Sequence, residues 1–187
     1  VRDAGDLRSP TVQEEICKRR KIDFSALVTA EQIHGNKVYR VEKKDAGQKI
    51  MQVDGLITKV EHIPLAIFTA DCLPIFFVDK ENRVVGLVHA GRESTFKRIA
   101  YETVKRLVET FNSNPANVLV AVGPHIRSCC YPVDLTTLNC QQLLDAGIRK
   151  KNMFLNSYCT SCHNDLFFSF HKEREKAGRM LSLIMLN

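Results

Sequence analysis

The chain has 187 residues, of which 44% are hydrophobic and 26% charged, the balance of a globular protein with one domain or two small ones. Lys and Arg number 27 against 21 Asp and Glu, and the net charge of +6 is spread along the chain. No apolar run reaches the length of a membrane span, and no basic stripe with interleaved aromatic residues indicates a nucleic-acid surface. A modest positive excess suits small anions such as phosphate.

The first half of the chain predicts one helix followed by short strands. Ser9-Pro10 and a Thr11/Glu14 capping box predict a helix that ends near Lys21. Strands are predicted at residues 26–30, 37–42 and 53–58, with polar segments at 31–36 and 43–52. Three apolar runs follow at 65–70, 74–79 and 83–89, and a turn at 80–82 predicts a hairpin between the last two. Continuous apolar runs of this kind are typical of strands covered on both faces.

The second half alternates strands with helices. A helix is predicted at 95–111, with Thr95 as N-cap and a buried face that begins at Phe96. A strand at 118–122, a helix at 135–146 and a terminal strand at 180–186 follow. The alternation indicates an α/β or α+β fold with a mixed sheet in a single domain, residues 1–187.

Four residues suited to ligand binding or catalysis fall at strand ends or in short loops that contain glycine. His34 lies in a polar loop, Cys72 follows the strand at 65–70, His89 ends the strand at 83–89, and His125 follows the strand at 118–122. Strand ends hold side chains firmly while the loops open to solvent, so functional sites are often built there. Each residue also has a structural interpretation, because an isolated histidine is more often a hydrogen-bonding residue and a cysteine among apolar residues is more often inert. Asp71, beside Cys72, can equally cap a turn.

Seven cysteines, an odd number, together with a polar N-terminus, favour a reducing, cytoplasmic environment without a disulfide framework. Cys159 and Cys162 form a C-x-x-C motif, and Cys129 and Cys130 are adjacent. A structural zinc site would need a second pair at knuckle spacing, which adjacent cysteines do not provide. Packing or loop-tying thiols are therefore the favoured interpretation of both pairs, and Cys17 and Cys140 are expected to pack within helices.

Several segments, taken in order, resemble the YfiH-like family, whose members have been described as laccase-domain or multicopper polyphenol oxidases and are now understood as purine nucleoside phosphorylases. The segments are EQIHGNKV, DGLIT, TADCLPIFFVD, VVGLVHAG, AVGPHIRSCCYPV and the C-terminal stretch from YCTSC to GRMLSLIML. The resemblance covers nearly the whole chain. It implies a four-layer αββα sandwich with mixed β-sheets.

The resemblance also implies a metal site, with His34, Cys72 and His89 at the positions of the family's ligands. Two imidazoles and a thiolate suit zinc, and three protein ligands leave a position open, as in catalytic zinc sites. Copper at the same ligands is the alternative. The implied reactions are the phosphorolysis of adenosine, inosine, guanosine and methylthioadenosine, and the deamination of adenosine. Asp71 and His125 are the expected proton shuttles for deamination.

Phosphorolysis requires a phosphate held beneath C1′ of the ribose. The expected anion-binding residues are Arg92, Ser94 and Thr95, at the start of the predicted helix 95–111. Arg179 is a further candidate. The expected partners are purine nucleosides and phosphate, without a nucleic acid or a membrane.

Three other functions stay open at this point. A laccase-type copper oxidase would need several copper centres, which six scattered histidines do not provide. A cysteine hydrolase could use Cys72 as nucleophile and His89 as base. The last alternative is a metal-binding protein without activity.

The chain departs from the family pattern at several points. Arg92-Glu93-Ser94 stands where the family has Trp-Arg-Gly, and Phe170-His171 stands where it has Tyr-Arg. Any substrate contact made by the family's residues at these positions is therefore in doubt. We also expect that family segments are missing before the first residues and between Val133 and Asp134.

Overall fold

The computed structural model describes residues 5–187, and residues 1–4 of the predicted domain lie outside that range. Within it the helices are α1 (Pro10–Arg19), α2 (Arg92–Phe96), α3 (Ile99–Phe111), α4 (Leu135–Asp145) and α5 (Phe170–Glu173). The strands are β1 (Val28–Ala30), β2 (Val38–Arg40), β3 (Lys49–Ile50), β4 (Gly55–Thr58), β5 (Leu65–Thr69), β6 (Leu73–Asp79), β7 (Val84–Ala90), β8 (Leu119–Val122), β9 (Met153–Leu155) and β10 (Met180–Ile184).

The strands form two mixed sheets, as expected. One sheet has four strands in the order β10-β5-β1-β3, with β10 antiparallel to β5 and the other pairs parallel. The other has six strands in the order β2-β4-β7-β6-β8-β9, parallel only at its two outer pairs. The predicted hairpin is β6–β7, in which Leu73 pairs with Ala90 and Asp79 with Val84.

The six-stranded sheet is covered on both faces, which explains its continuous apolar strands. On one face, Leu56 and Leu87 pack against Val28, Leu65 and Ile67 of the four-stranded sheet. The other face packs against α3 and α4, through the buried side chains Ile57, Ile75, Phe77, Val88, Ile99, Val104, Leu107 and Leu143. Helix α1 lies over the outer face of the four-stranded sheet, where its residues border a groove with Leu181 and Leu183 of β10. The layers are therefore helix, sheet, sheet and helix.

The predicted helix at 95–111 is wrong at its start. Thr95 is not an N-cap, because α2 and α3 are separate helices joined through Arg98, which adopts a left-handed φ of 62°. Helix α4 stabilises this break, since Asn139 Nδ2 donates to Thr95 Oγ1 and Gln142 Nε2 donates to the Thr95 carbonyl. Phe96 consequently leaves the buried face and is 54% exposed.

Two further expectations need correction at the N-terminal half. Helix α1 begins at Pro10 with Ser9 at the N-cap position, so the Thr11/Glu14 capping box does not form. The predicted polar segment at 43–52 contains a 3-10 turn and the short strand β3. In the part of the chain that the structure describes, no helix combines the length and apolar character needed to cross a bilayer.

Candidate metal centre

The three residues at the positions of the family's metal ligands, His34, Cys72 and His89, lie close together at one edge of the sheets. His34 lies in the loop after β1, Cys72 in the turn between β5 and β6, and His89 within β7. Their ligand atoms lie within 4.8 Å of one another, and Cys72 Sγ is 3.9 Å from His34 Nε2. The two imidazole rings meet edge to face, with centroids 4.8 Å apart. We refer to these three residues as the His-Cys-His cluster.

Asp54 is a buried residue that positions the His-Cys-His cluster through hydrogen bonds, and the sequence reasoning missed it. Its side chain is fully buried, and its Oδ1 accepts a hydrogen bond of 2.8 Å from His89 Nδ1. The same carboxylate accepts the backbone N–H groups of Ile33, His34 and Gly35. These bonds hold the loop in which His34 adopts a φ of 57°, a conformation uncommon outside glycine. Asp54 therefore fixes one ligand loop and directs the Nε2 atom of His89 toward the cluster.

Gly91 gives the cluster its close packing. A Cβ atom on this residue would lie 2.8 Å from His34 Cδ2 and 2.9 Å from Cys72 Sγ. Both distances are shorter than van der Waals contact, so any side chain here would displace the ligands. Gly91, the glycine of the HAG segment, is therefore required because no side chain fits there, and its backbone conformation does not require glycine, since a φ of −85° is accessible to any residue.

The electrostatics of the cluster favour a thiolate. Burial raises the pKa of Cys72, but the charge of His89 and a hydrogen bond with His34 outweigh burial and lower it to about 6. Burial lowers the pKa of His89, but the Cys72 thiolate and the Asp54 carboxylate raise it to about 9. The buried pair therefore favours a thiolate beside an imidazolium.

Two cavities open on the cluster, and both are lined by His34, Ala70, Cys72 and Phe170. The first, of about 380 Å³, is also lined by Arg8, Gln32, Phe68, His89 and Arg179, and we call it the arginine cavity. The second, of about 300 Å³, is also lined by Asp71, Arg92, Glu93, Ile126, Tyr131, Leu135, His171 and Arg174, and we call it the tyrosine cavity. The larger groove beside α1, of about 1220 Å³, shares no lining residue with either.

The arginine cavity carries positive charge from two distant parts of the chain. Arg179 donates through Nη1 to the carbonyls of Ala177 and Gly178, which leaves three of its five N–H groups for a ligand. Arg8 pairs with Asp6, which also accepts the backbone N–H of Arg179. This link brings the N-terminal segment to the cavity. The sequence reasoning named Arg179 and missed Arg8, whose place depends on a contact across almost the whole chain.

Ser94 and Thr95 do not fit the predicted anion-binding role. Both side chains are buried. Ser94 Oγ accepts the Gly91 N–H within the turn, and Thr95 Oγ1 is bonded by Asn139. Helix α3 begins only at Ile99, so its N-terminus is not at the cluster. Of the three residues, only Arg92 is exposed and lines a cavity.

The two predicted proton shuttles have different surroundings. Asp71 lines the tyrosine cavity, and its carboxylate accepts hydrogen bonds of 2.6 Å from Thr160 Oγ1 and from the His171 N–H. His125 is fully buried, with Nδ1 bonded to the Gly123 carbonyl and Nε2 bonded to Thr136 Oγ1. Its pKa is lowered by burial. Both ring nitrogens are therefore occupied away from the cavities, which matches the structural interpretation of this histidine.

A second group of possible metal ligands consists of Cys129, Cys130, Cys159 and Cys162. The adjacent pair does not have knuckle spacing, but it nevertheless lies beside the C-x-x-C motif, because His125, in the loop before it, pairs with Cys159. All seven cysteines are free thiols in the structure.

Comparisons with known proteins agree on one family. The family model described as "Multi-copper polyphenol oxidoreductase laccase" matches residues 10–137 and 132–187. The curated protein "Purine nucleoside phosphorylase YlmD" of Geobacillus stearothermophilus is 32% identical over 96% of this chain and 80% of its own length. Its namesake from Bacillus subtilis is 30% identical over 92% of this chain and 75% of its own length. The solved structure of the hypothetical protein YfiH of Bacillus licheniformis covers 95% of this chain and 80% of its own, with a TM-score of 0.92 and 30% identity.

Proposed function

The chain belongs to the multi-copper polyphenol oxidoreductase laccase family, and from this premise we propose that it is a zinc-dependent purine nucleoside phosphorylase. The observation that carries the proposal is the position of the His-Cys-His cluster, which opens on two cavities, one of them bordered by Arg8 and Arg179. Two curated relatives are named purine nucleoside phosphorylases, which supports the phosphorylase part of the proposal.

The donor set of the cluster fits zinc. Two imidazole nitrogens and one thiolate are ligands of intermediate softness, and three protein ligands leave one position for a substrate. His34, Cys72 and His89 would hold the ion, and Asp54 would keep the His89 ring in the tautomer that binds it. Zinc bound there would act as a Lewis acid toward an oxygen or nitrogen of the substrate.

The arginine cavity is the proposed phosphate site. Phosphorolysis needs a phosphate oxygen oriented toward C1′ of the ribose, and a guanidinium offers paired N–H donors that match phosphate geometry. Arg179 has donors remaining, and Arg8 is held beside it through Asp6. The two guanidiniums would bind the anion and compensate its charge in the transition state.

The tyrosine cavity is the proposed purine site. Ile126, Leu135 and Tyr131 offer it an apolar and aromatic wall suited to a flat heterocycle. Arg92 and Arg174 lie at the same cavity and would stabilise negative charge on the departing purine. Arg92 replaces the family's tryptophan here, so the chain puts a cation where an aromatic ring is expected.

The proposed substrates are adenosine, inosine, guanosine and methylthioadenosine. For the deamination of adenosine we propose Asp71 as the acid–base residue, because its carboxylate lines the tyrosine cavity directly beside Cys72. We assign His125 a structural role instead, since both of its ring nitrogens bond within the protein.

Product analysis tests the proposal. Purified protein is incubated with inosine or adenosine, with and without phosphate, and the products are separated by chromatography. Phosphorolysis releases free purine and ribose 1-phosphate only when phosphate is present, whereas deamination converts adenosine to inosine without it. The Cys72→Ser variant should lose both activities, and Cys140→Ser, which changes a half-buried thiol on α4, should keep them. Full activity in Cys72→Ser would overturn the proposed site.

Metal analysis of the same preparations separates the alternatives. A laccase-type oxidase would contain several coppers, and a hydrolase that uses Cys72 and His89 would work without metal. Among the described residues, only one group of possible metal ligands contains histidine, which is fewer than the several copper centres of a blue-copper oxidase require.

A further inference from the structure

Four cysteines meet beside the tyrosine cavity, two of them exposed and Cys159 buried, in a cluster that the proposed nucleoside chemistry does not use. Cys129 and Cys130 lie in the loop after β8, and Cys159 and Cys162 lie in the turn after β9. Cys162 Sγ is 3.6 Å from Cys129 Sγ and 3.4 Å from Cys130 Sγ, and all four sulfur atoms lie within 4.8 Å of one another.

This spacing agrees with a tetrahedral metal site. With Zn–S bonds of about 2.3 Å, sulfur atoms at the corners of a tetrahedron are about 3.8 Å apart. Disulfide sulfurs lie much closer, at about 2.05 Å. A sequence separation of two residues between Cys159 and Cys162 is the usual spacing of one half of a structural zinc site.

The backbone around Cys159 favours a thiolate. Burial raises the pKa of this thiol, but hydrogen bonds from the Cys162 and Arg127 N–H groups, from the Cys129 side chain and from the Ser161 N–H outweigh burial and lower it to about 7. Hydrogen bonds of this kind to sulfur stabilise negative charge at metal-bound cysteines. Hydrogen bonds with the neighbouring cysteines raise the pKa of Cys162 to about 12, so without a metal the negative charge resides on Cys159. The Arg127 guanidinium crosses between the same segments and donates to the carbonyls of Asn156 and Ser157.

From this arrangement we infer that Cys129, Cys130, Cys159 and Cys162 form a second metal site, a structural zinc site separate from the His-Cys-His cluster. Four protein ligands complete the coordination of zinc, so this site would have no open position for a substrate. The cysteines lie on two segments that the chain brings together only in the folded state. Metal binding there would therefore stabilise the fold.

The role of the site follows from its neighbours. Tyr131, the residue after Cys130, lines the tyrosine cavity and packs edge to face against His171. Thr160, between the two cysteines of the C-x-x-C motif, donates to Asp71 and bonds through its N–H to the His125 carbonyl. A metal ion at the four cysteines would hold both residues in place and thereby fix one wall of the cavity.

Metal stoichiometry and sulfur coordination test the inference. The full chain is purified under reducing conditions after expression with zinc, and its zinc content is measured by elemental analysis. X-ray absorption at the zinc edge then reports the average number of sulfur ligands. We expect two zinc ions for each chain and an average of more than one sulfur ligand for each zinc ion.

Variants assign each ion to its site. Cys72→Ser should keep one zinc, with only sulfur ligands. The double variant Cys129→Ser/Cys162→Ser changes two exposed side chains, so it should fold, and it should keep one zinc with mainly nitrogen ligands. Cys140→Ser is the matched control and should keep both ions. A chelator should lower the melting temperature of Cys72→Ser, in which the four-cysteine site is the one that still holds zinc.

The two proposals can fail separately. If the double variant binds as much zinc as the unaltered protein, the four-cysteine site is refuted, whatever happens at Cys72. If Cys72→Ser keeps both ions while the double variant loses one, the nucleoside site is refuted and the four-cysteine site stands. A metal-free protein whose mass is lower by two hydrogen atoms for each disulfide would show that the four cysteines form crosslinks instead.

Discussion

Replacing Asp54 with asparagine should weaken metal binding although Asp54 is not a ligand. The carboxylate accepts four hydrogen bonds: Oδ1 takes those of His34 N at 3.0 Å and His89 Nδ1 at 2.8 Å, and Oδ2 takes those of Ile33 N at 3.2 Å and Gly35 N at 2.6 Å. An asparagine has one oxygen at either position and an NH₂ group at the other. The asparagine can therefore accept two of the four hydrogen bonds, and the other two donors face its NH₂ group instead of an acceptor.

The expected size of the effect follows from these contacts. Each buried donor left without an acceptor costs about 1–3 kcal/mol. The free energy of unfolding should therefore fall by about 1–3 kcal/mol if the NH₂ group faces His34 and His89, where the His89 ring can change tautomer, and by about 2–6 kcal/mol if it faces Ile33 and Gly35. If the NH₂ group faces His89, it moves the ring proton from Nδ1 to Nε2 and blocks the nitrogen that faces the cluster. Loss of such a partner weakens metal affinity by about 10- to 100-fold.

Asp79→Asn is the matched control. This aspartate is equally buried, and it accepts hydrogen bonds from Glu81 N, Asn82 N and Asn82 Nδ2 in the turn between β6 and β7. Both variants are compared by denaturant unfolding and by zinc titration against a chelator of known affinity, with Cys129→Ser/Cys162→Ser as the background. Asp79→Asn should lose stability but keep its zinc affinity. Unchanged zinc affinity in Asp54→Asn would refute the role given to this carboxylate.

Three further predictions concern the ligands and the phosphate site. Gly91→Ala should abolish metal binding at the His-Cys-His cluster, because the new Cβ would lie 2.9 Å from Cys72 Sγ. The control Gly123→Ala crowds only Pro74, so it should reduce stability without changing the zinc content. Equal zinc content in the two variants would contradict the role given to Gly91. In chelator-treated protein, the alkylation of Cys72 by iodoacetamide, followed by peptide mapping, should be half-maximal near pH 6. The lowered pKa of Cys72 makes the thiolate the main form above that pH, whereas an ordinary thiol has a pKa near 9. A midpoint near pH 9 would contradict the thiolate. Arg179→Gln should raise the KM for phosphate by about 10- to 100-fold, the size of a lost charged hydrogen bond, while the KM for inosine changes little. The exposed Arg106→Gln on α3 is its control, and an unchanged KM for phosphate in Arg179→Gln would remove the arginine cavity as the phosphate site.

The central strands of the fold could be predicted from the sequence because they are covered on both faces. The runs at 65–70, 74–79 and 83–89 match β5, β6 and β7 to within a residue at each end. Strands β3 and β9 escaped prediction because they are only two and three residues long and lie at sheet edges, where few side chains are buried. The break between α2 and α3 was also missed, since it depends on contacts with α4 that are remote in sequence.

The candidate site also contains residues that the sequence could identify and residues that it could not. Each ligand of the His-Cys-His cluster belongs to a local motif that the family resemblance could identify. Asp54 stands in the segment DGLIT, and a charged residue beside an apolar strand was its only signal. Arg8 and the four-cysteine cluster depend on pairings between segments far apart, which motif spacing does not reveal. Ser94 and Thr95 were misassigned because their polarity was visible in the sequence while their burial was not.

Asp71 joins two halves of the molecule that are made at different times. Its hydrogen bonds reach Thr160 and His171, which follow it by 89 and 100 residues. Chains are synthesised from the N-terminus, and N-terminal segments begin to fold first. The three residues of the His-Cys-His cluster therefore leave the ribosome well before Phe170 and Arg179, which line the cavities. A nascent chain could therefore assemble the proposed metal site early, but the proposed nucleoside site would be complete only once the last residues have been synthesised.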